Sequence, residues 1–121
     1  MEQNIIGGVL ADCSRDPLTG WFRDGCCRTD DHDRGVHTVC VRLTRDFLEF
    51  SARKGNDLIT PRPELGFPGL KPGDQWCLCA SRWLEAYNAN VAPGVVVNAT
   101  HAATLSIVPL DVLLDHALDA N

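Results

Sequence analysis

The chain lacks a long apolar run, a basic run of more than two residues, a Gly-rich phosphate loop and any recognisable Ser-His-Asp order. The first absence argues against a membrane-spanning helix, which needs about 20 apolar residues. The second argues against nucleic acid as a partner, because such affinity comes largely from clustered cations displacing counterions. A net charge of −5 and a pI of about 5.2 point the same way. The N-terminal Met1-Glu-Gln-Asn-Ile-Ile-Gly-Gly8 lacks the basic region and apolar segment of a secretory signal. A cytoplasmic, reducing location is therefore expected. No internal repeat, low-complexity tract or Cys-x2-Cys knuckle is present.

What is present fits one domain spanning residues 1–121. The length is near the commonest domain size, and 45% hydrophobic with 22% charged residues is ordinary globular composition. Six cysteines stand out: Cys13, Cys26, Cys27, Cys40, Cys77 and Cys79. In a reducing compartment they read as buried thiols, metal ligands or redox groups rather than as a disulfide framework.

Residues 3–10 alternate weakly, as a short edge strand would. Asp16-Pro-Leu-Thr-Gly20 is a turn signal, and residues 24–35 read as loop. Val36 to Leu43 is β-branched and alternating, which predicts a strand. Regular alternation places His37 with Val39 and Val41, and Cys40 on the opposite face with Thr38 and Arg42. Thr44 can cap a helix running to about Lys54 and closed by Gly55, with Phe47, Leu48 and Phe50 inward. Pro61, Pro63, Pro68 and Pro72 stiffen a long loop before a second strand over 75–80. Ser81 can cap a helix that buries Trp83, Ala86 and Tyr87 on one stripe, and a short strand follows at Val95 to Val97. Thr100 can start a helical turn. Pro109 suits the first turn of a last helix whose Leu110, Leu113, Leu114, Ala117 and Leu118 fall on one face. The class implied is α+β, a two-layer sandwich in which helices pack one face of a small sheet.

The residues with chemistry to offer lie in three cysteine segments. On a strand, Cys77 and Cys79 point to the same side, with Trp76 and Leu78 opposite. Gly25 gives Cys26 and Cys27 the freedom to turn inward, and Cys40 comes from the first strand. Cys26, Cys27, Cys40, Cys77 and Cys79 could thus form a thiolate set, for which zinc is a suitable metal. The competing reading is a group of small buried core residues. Cys26, flanked by Arg23 and Arg28, or the Cys77/Cys79 pair could alternatively act as nucleophile or redox dithiol. His37 and His116 read as structural and His101 as solvated, while the acidic Asp30-Asp-His-Asp33 run could attract a divalent cation but reads more readily as a solvated loop. Arg62 and Glu64, set among prolines, could bind a carboxylate or position a substrate, or pair with each other to hold the loop.

Cys13-Ser, Asp16-Pro-Leu-Thr-Gly-Trp-Phe-Arg-Asp-Gly-Cys-Cys27 and His37-Thr-Val-Cys40 together resemble the small bacterial proteins grouped as domain of unknown function 2237. So do Phe47-Leu-Glu-Phe-Ser51, Gly55-Asn-Asp-Leu58, Thr60-Pro-Arg-Pro-Glu64, Gly66-Phe-Pro-Gly-Leu-Lys-Pro-Gly-Asp74 and Trp76-Cys-Leu-Cys-Ala80. Arg82-Trp83 and the Pro109-Leu110 start of the last helix complete it. The resemblance covers nearly the whole chain and implies a two-layer α+β domain. It carries no catalytic residue, because the family supplies none.

Three functions are therefore in view. The first is a thiol-lined site for a metal ion or small ligand, covered by the loop at 60–74. The second is a cysteine-dependent redox or nucleophilic enzyme. The third is an interaction module, with a homodimer as one form, that docks through Trp21 and Phe22 or Phe67.

Overall fold

The computed structural model describes residues 2–119. Three antiparallel strands form one sheet in the order β2-β1-β3, with β1 at His37–Arg42, β2 at Gln75–Cys79 and β3 at Gly94–Val95. The helices are α1 at Arg45–Arg53, α2 at Ala80–Asn88 and α3 at Leu110–Leu114. Short 3-10 turns occupy Pro63–Leu65, Val97–Ala99 and Ala102–Ser106. This is the expected α+β class.

The middle strand forms because its β-branched residues can be buried on both sides. Val39 pairs with Leu78 and Val41 with Trp76, so these four side chains share a face. Helices α1 and α2 cover that face, adding Phe47, Leu48, Phe50, Trp83 and Ala86 to the same apolar cluster. Burying each large side chain contributes about 1.5–3 kcal/mol, so this cluster is the main source of stability. On the opposite face Cys40 pairs with Cys77, beside a second cluster of Cys13, Cys27 and Ala99.

Helix α1 begins and ends where its sequence predicts. The Thr44 hydroxyl accepts the Phe47 N–H at 3.1 Å, and Gly55 follows with φ +94°. Asp46 in the first turn and Arg53 in the last both suit the helix dipole.

Elsewhere tertiary packing overrides local pattern. Residues 3–10 do not form a strand; they make isolated bridges, Gln3 to Val9 and Asn4 to His101. Cys79, not Ser81, is the N-cap of α2, and no side chain caps that end. The third strand stops at Val95, and Val97 enters a 3-10 turn. The short helical turn predicted from Thr100 begins at Ala102, with His101 as its cap. Helix α3 has only five residues, and Pro109 precedes it as N-cap rather than standing in its first turn. The predicted leucine stripe is accordingly split. Leu113 is buried, whereas Leu110, Leu114 and Leu118 are exposed, because the chain leaves the helix to lay Ala117 beside Val95.

Candidate functional site

The sheet edge at β2 carries the features that later form a cavity. Register between β1 and β2 is regular from Val39 to Arg42, then shifts at Thr38, so that His37 stands opposite Cys79. The extra residue is a bulge, which re-aims the side chain next to it. His37 therefore leaves the valine face on which regular alternation would put it. Val36, just before, has φ +48°, a strained value for a β-branched residue. Its carbonyl accepts the N–H groups of both Thr38 and Ala80, which holds the kink in place.

Asp33 fixes the displaced ring. Its carboxylate is fully buried and lies 2.6 Å from His37 Nδ1. It also accepts the His37 backbone N–H at 2.9 Å and the Thr29 hydroxyl at 3.0 Å. Burial pushes the Asp33 pKa up, but the hydrogen bonds from His37 and Thr29 outweigh it and the carboxyl is held below its usual range. Trp21 stacks on the imidazole with ring centroids 6.1 Å apart and planes 8° from parallel. With Nδ1 engaged, Nε2 makes no hydrogen bond among the described residues.

The Asp30-Asp-His-Asp33 run is thus not a uniformly solvated loop. His32 is open to solvent while Asp33 anchors the histidine. No spacing signal in the sequence separates these two outcomes. His101 is also not solvated; its Nε2 meets Glu2 at 2.9 Å and its Nδ1 accepts the Ala103 N–H. His116 packs edge-on against Trp83 and Tyr87.

Around this edge lies a cavity of about 410 Å³, lined by His37 and Cys79 together with Trp21, Arg23, Arg62, Phe67 and Trp76, among others. Gly20 borders it where only glycine fits: φ is +103°, and a Cβ would stand 2.3 Å from the Cys26 carbonyl oxygen. The proline-rich loop builds the outer wall. Arg62 and Phe67 exchange backbone hydrogen bonds of 2.8 and 3.0 Å around the Pro63–Leu65 turn, and Gly66 closes it in the left-handed region. Phe67 then meets Trp76 edge-on at 5.6 Å. Arg23 is held from the other side, its guanidinium 5.3 Å from the Trp76 ring centre and donating to the Gly20 carbonyl at 2.7 Å. Among the described residues neither Arg23 nor Arg62 forms an ion pair, and the Arg62–Glu64 pair is not made.

The cysteines divide into two groups. Cys13 is joined to Cys40 and Cys27 to Cys77, both as disulfides. All four are buried, and the sulfurs of Cys13, Cys27 and Cys77 lie within 4.8 Å of one another. Of the five cysteines proposed from sequence, Cys27, Cys40 and Cys77 converge here with Cys13, which that set omitted. The expectation that these cysteines remain thiols is not met. Cys26 and Cys79 are free and stand apart from the cluster's bonds.

The two free thiols differ. The Cys26 thiol donates to Asp12 at 3.0 Å. Burial, that bond and the nearby Asp12 charge raise its pKa to about 11, which makes it a poor thiolate despite the Arg residues close in sequence. Cys79 borders the cavity at the N-terminus of α2, its sulfur 3.2 Å from the Ser81 hydroxyl. Trp21 and Phe22 are about half exposed, and Phe22 lies under the Arg28 guanidinium.

Among the described residues no helix is long and apolar enough to cross a membrane. No curated protein matches the chain. Residues 3–117 match a family described as uncharacterised protein conserved in bacteria (DUF2237), and the chain belongs to that family.

Proposed function

We propose that this protein binds a small organic anion, a carboxylate or phosphate ester with an aromatic or apolar body, in the cavity over the β2 edge. The observation that carries the reading is the pair of arginines, Arg23 and Arg62, which border the cavity and make no ion pair among the described residues, Asp57 feeling the Arg62 charge only at a distance. A guanidinium offers a fork of donors that fits two oxygens of one anion. Trp21, Phe67 and Trp76 supply apolar walls for the remainder of the ligand, and about 410 Å³ is within the range of small-molecule sites. The positive charge is local, because the chain as a whole is acidic. The test is titration with 4-hydroxybenzoate followed by amide chemical shifts. Shifts should centre on Trp21, Arg62 and Trp76 and weaken in Arg62→Ala. Saturable binding elsewhere, or none, rejects the reading.

A second reading rests on the proximity of Cys13, Cys27 and Cys77. With both disulfides reduced, these three would supply thiolates to a structural zinc, and Cys40, bonded to Cys13 in the oxidised protein, is the candidate fourth ligand. Their burial leaves no open position for substrate, so the metal would hold the fold rather than catalyse. Metal analysis of protein reduced without oxygen, then given zinc, tests this through a one-to-one stoichiometry. A cytoplasmic location belongs to this reading, which needs both disulfides reduced, as a reducing compartment would keep them.

A further inference from the structure

Three features of the cavity have no role in holding an anion. His37 is pinned by Asp33 through Nδ1 and stacked on Trp21, with Nε2 free of hydrogen bonds among the described residues. Cys79 is its partner across the bulged pairing, and both residues line the cavity, the Cys79 sulfur meeting the Ser81 hydroxyl at 3.2 Å. Cys79 is also the N-cap of α2, a nine-residue helix with no acid in its first turn and no side-chain cap. A helix N-terminus presents backbone N–H groups to an anion. Nucleophile, base, orienting carboxylate and oxyanion donors are the parts of a thiol acyl-transfer site.

We propose that Cys79 is the nucleophile and His37 the general base of an acyl-transfer site acting on esters or thioesters of small organic acids, with Asp33 as a positioning residue. The proposal rests on the anion-binding reading, because Arg23 and Arg62 would hold the charged end of the substrate.

The chemistry balances with water as the co-reactant. His37 Nε2 takes the Cys79 proton, and the sulfur attacks the carbonyl carbon, forming a C–S bond as the carbonyl electron pair moves to oxygen. The Ser81 and Arg82 N–H groups in the first turn of α2 stabilise that oxyanion, the Ala80 N–H being held by the Val36 carbonyl. On its collapse the bond to the leaving group breaks, and the leaving alkoxide or thiolate takes the proton from His37. Water then gives a proton to His37 and attacks the acyl carbon; the C–S bond breaks and Cys79 recovers the proton. Ester and water become acid and alcohol. Cys26 is the wrong thiol for this role, since it faces Asp12 and Asp24 rather than an imidazole.

The probe is 4-acetoxybenzoate, whose hydrolysis releases 4-hydroxybenzoate. The expected result is one acetyl group on the Cys79 peptide by mass spectrometry, together with catalytic release of product. Cys79→Ser and His37→Gln should each lower the acylation rate by roughly 10²-fold or more while 4-hydroxybenzoate still binds. Asp33→Asn should lower the same rate with binding unchanged, a split that a purely structural defect would not produce. Cys26→Ser should acylate as the parent does. Binding without acylation at Cys79 overturns the catalytic assignment and leaves the anion site standing, whereas absence of binding overturns both. A Cys79–Cys77 linkage in place of the acetyl group would also overturn it, in favour of thiol–disulfide exchange.

Discussion

The sealed cysteine cluster and the open cavity both draw on chain stretches 20–27, 37–40 and 76–79, the first adding Cys13 and the second Arg62 and Phe67, yet they share few properties. Cys27 and Cys77 go inward to a disulfide, while their neighbours Cys26 and Cys79 remain free thiols. Cys40 is bonded to Cys13, whereas His37, three residues earlier, borders the cavity. In the cluster every sulfur has a covalent partner and almost no exposure. Around the cavity, among the described residues, two guanidiniums make no ion pair, one imidazole nitrogen makes no hydrogen bond and one thiol is free of any disulfide. Groups whose bonding is complete hold a fold, and those left incomplete in a concave place are available to a ligand.

Breaking the cluster should have the largest effect. The disulfides span 27 and 50 residues of sequence. Cys27→Ser should cost about 2–5 kcal/mol of unfolding free energy by urea denaturation, through the freedom returned to the unfolded chain. Cys79→Ser, on the open side, should stay within about 0.5 kcal/mol of the parent.

Asp33 comes next, because its carboxylate is buried with three hydrogen-bond partners. Asp33→Asn should cost about 1–3 kcal/mol at pH 7. The pH dependence has a definite sign. The folded pKa is lowered, so the carboxylate stabilises the fold above its unfolded value of about 3.9 and progressively less as pH falls below it. Urea midpoints of parent and variant should therefore differ at pH 7, with the gap shrinking as pH falls below about 3.9.

Arg62→Ala should leave the urea midpoint almost unchanged, since the side chain has no ion pair among the described residues, and weaken 4-hydroxybenzoate binding by about tenfold, or about 1.4 kcal/mol. Calorimetric titration would read parent and variant on one scale. The smallest effect is expected at Cys26. Asp12→Asn removes one of the two acidic neighbours that raise the thiol's pKa, but not the burial that raises it most. Iodoacetamide should then modify Cys26 only severalfold faster at pH 8.

Much of the scaffold was legible in the sequence because local and tertiary signals agree there. Thr44, Phe47 and Gly55 specify α1 by capping and periodicity, and the valines of β1 have apolar partners on their inner side. The site was harder to read because it depends on departures from regularity. The bulge at Thr38 moves His37 across the sheet, and strand alternation carries no sign of it. Asp33 looked like its acidic neighbours, since burial depends on the later fold. Cys13 lies far from the other motifs and reaches Cys40 only when the N-terminal loop packs against β1. Arg62, by contrast, was visible among the prolines, and its backbone pairing with Phe67 explains why that stiff loop suits a cavity wall.

The division of thiols between a sealed cluster and an open site is tested most directly by timed alkylation of the folded, unreduced protein, with peptides identified by mass spectrometry. Two cysteines should react: Cys79 first, slowed by added 4-hydroxybenzoate, and Cys26 much later, while Cys13, Cys27, Cys40 and Cys77 stay unmodified until reduced and unfolded. Modification of Cys27 or Cys77 in the folded state, or a Cys79 rate indifferent to the ligand, would contradict the account.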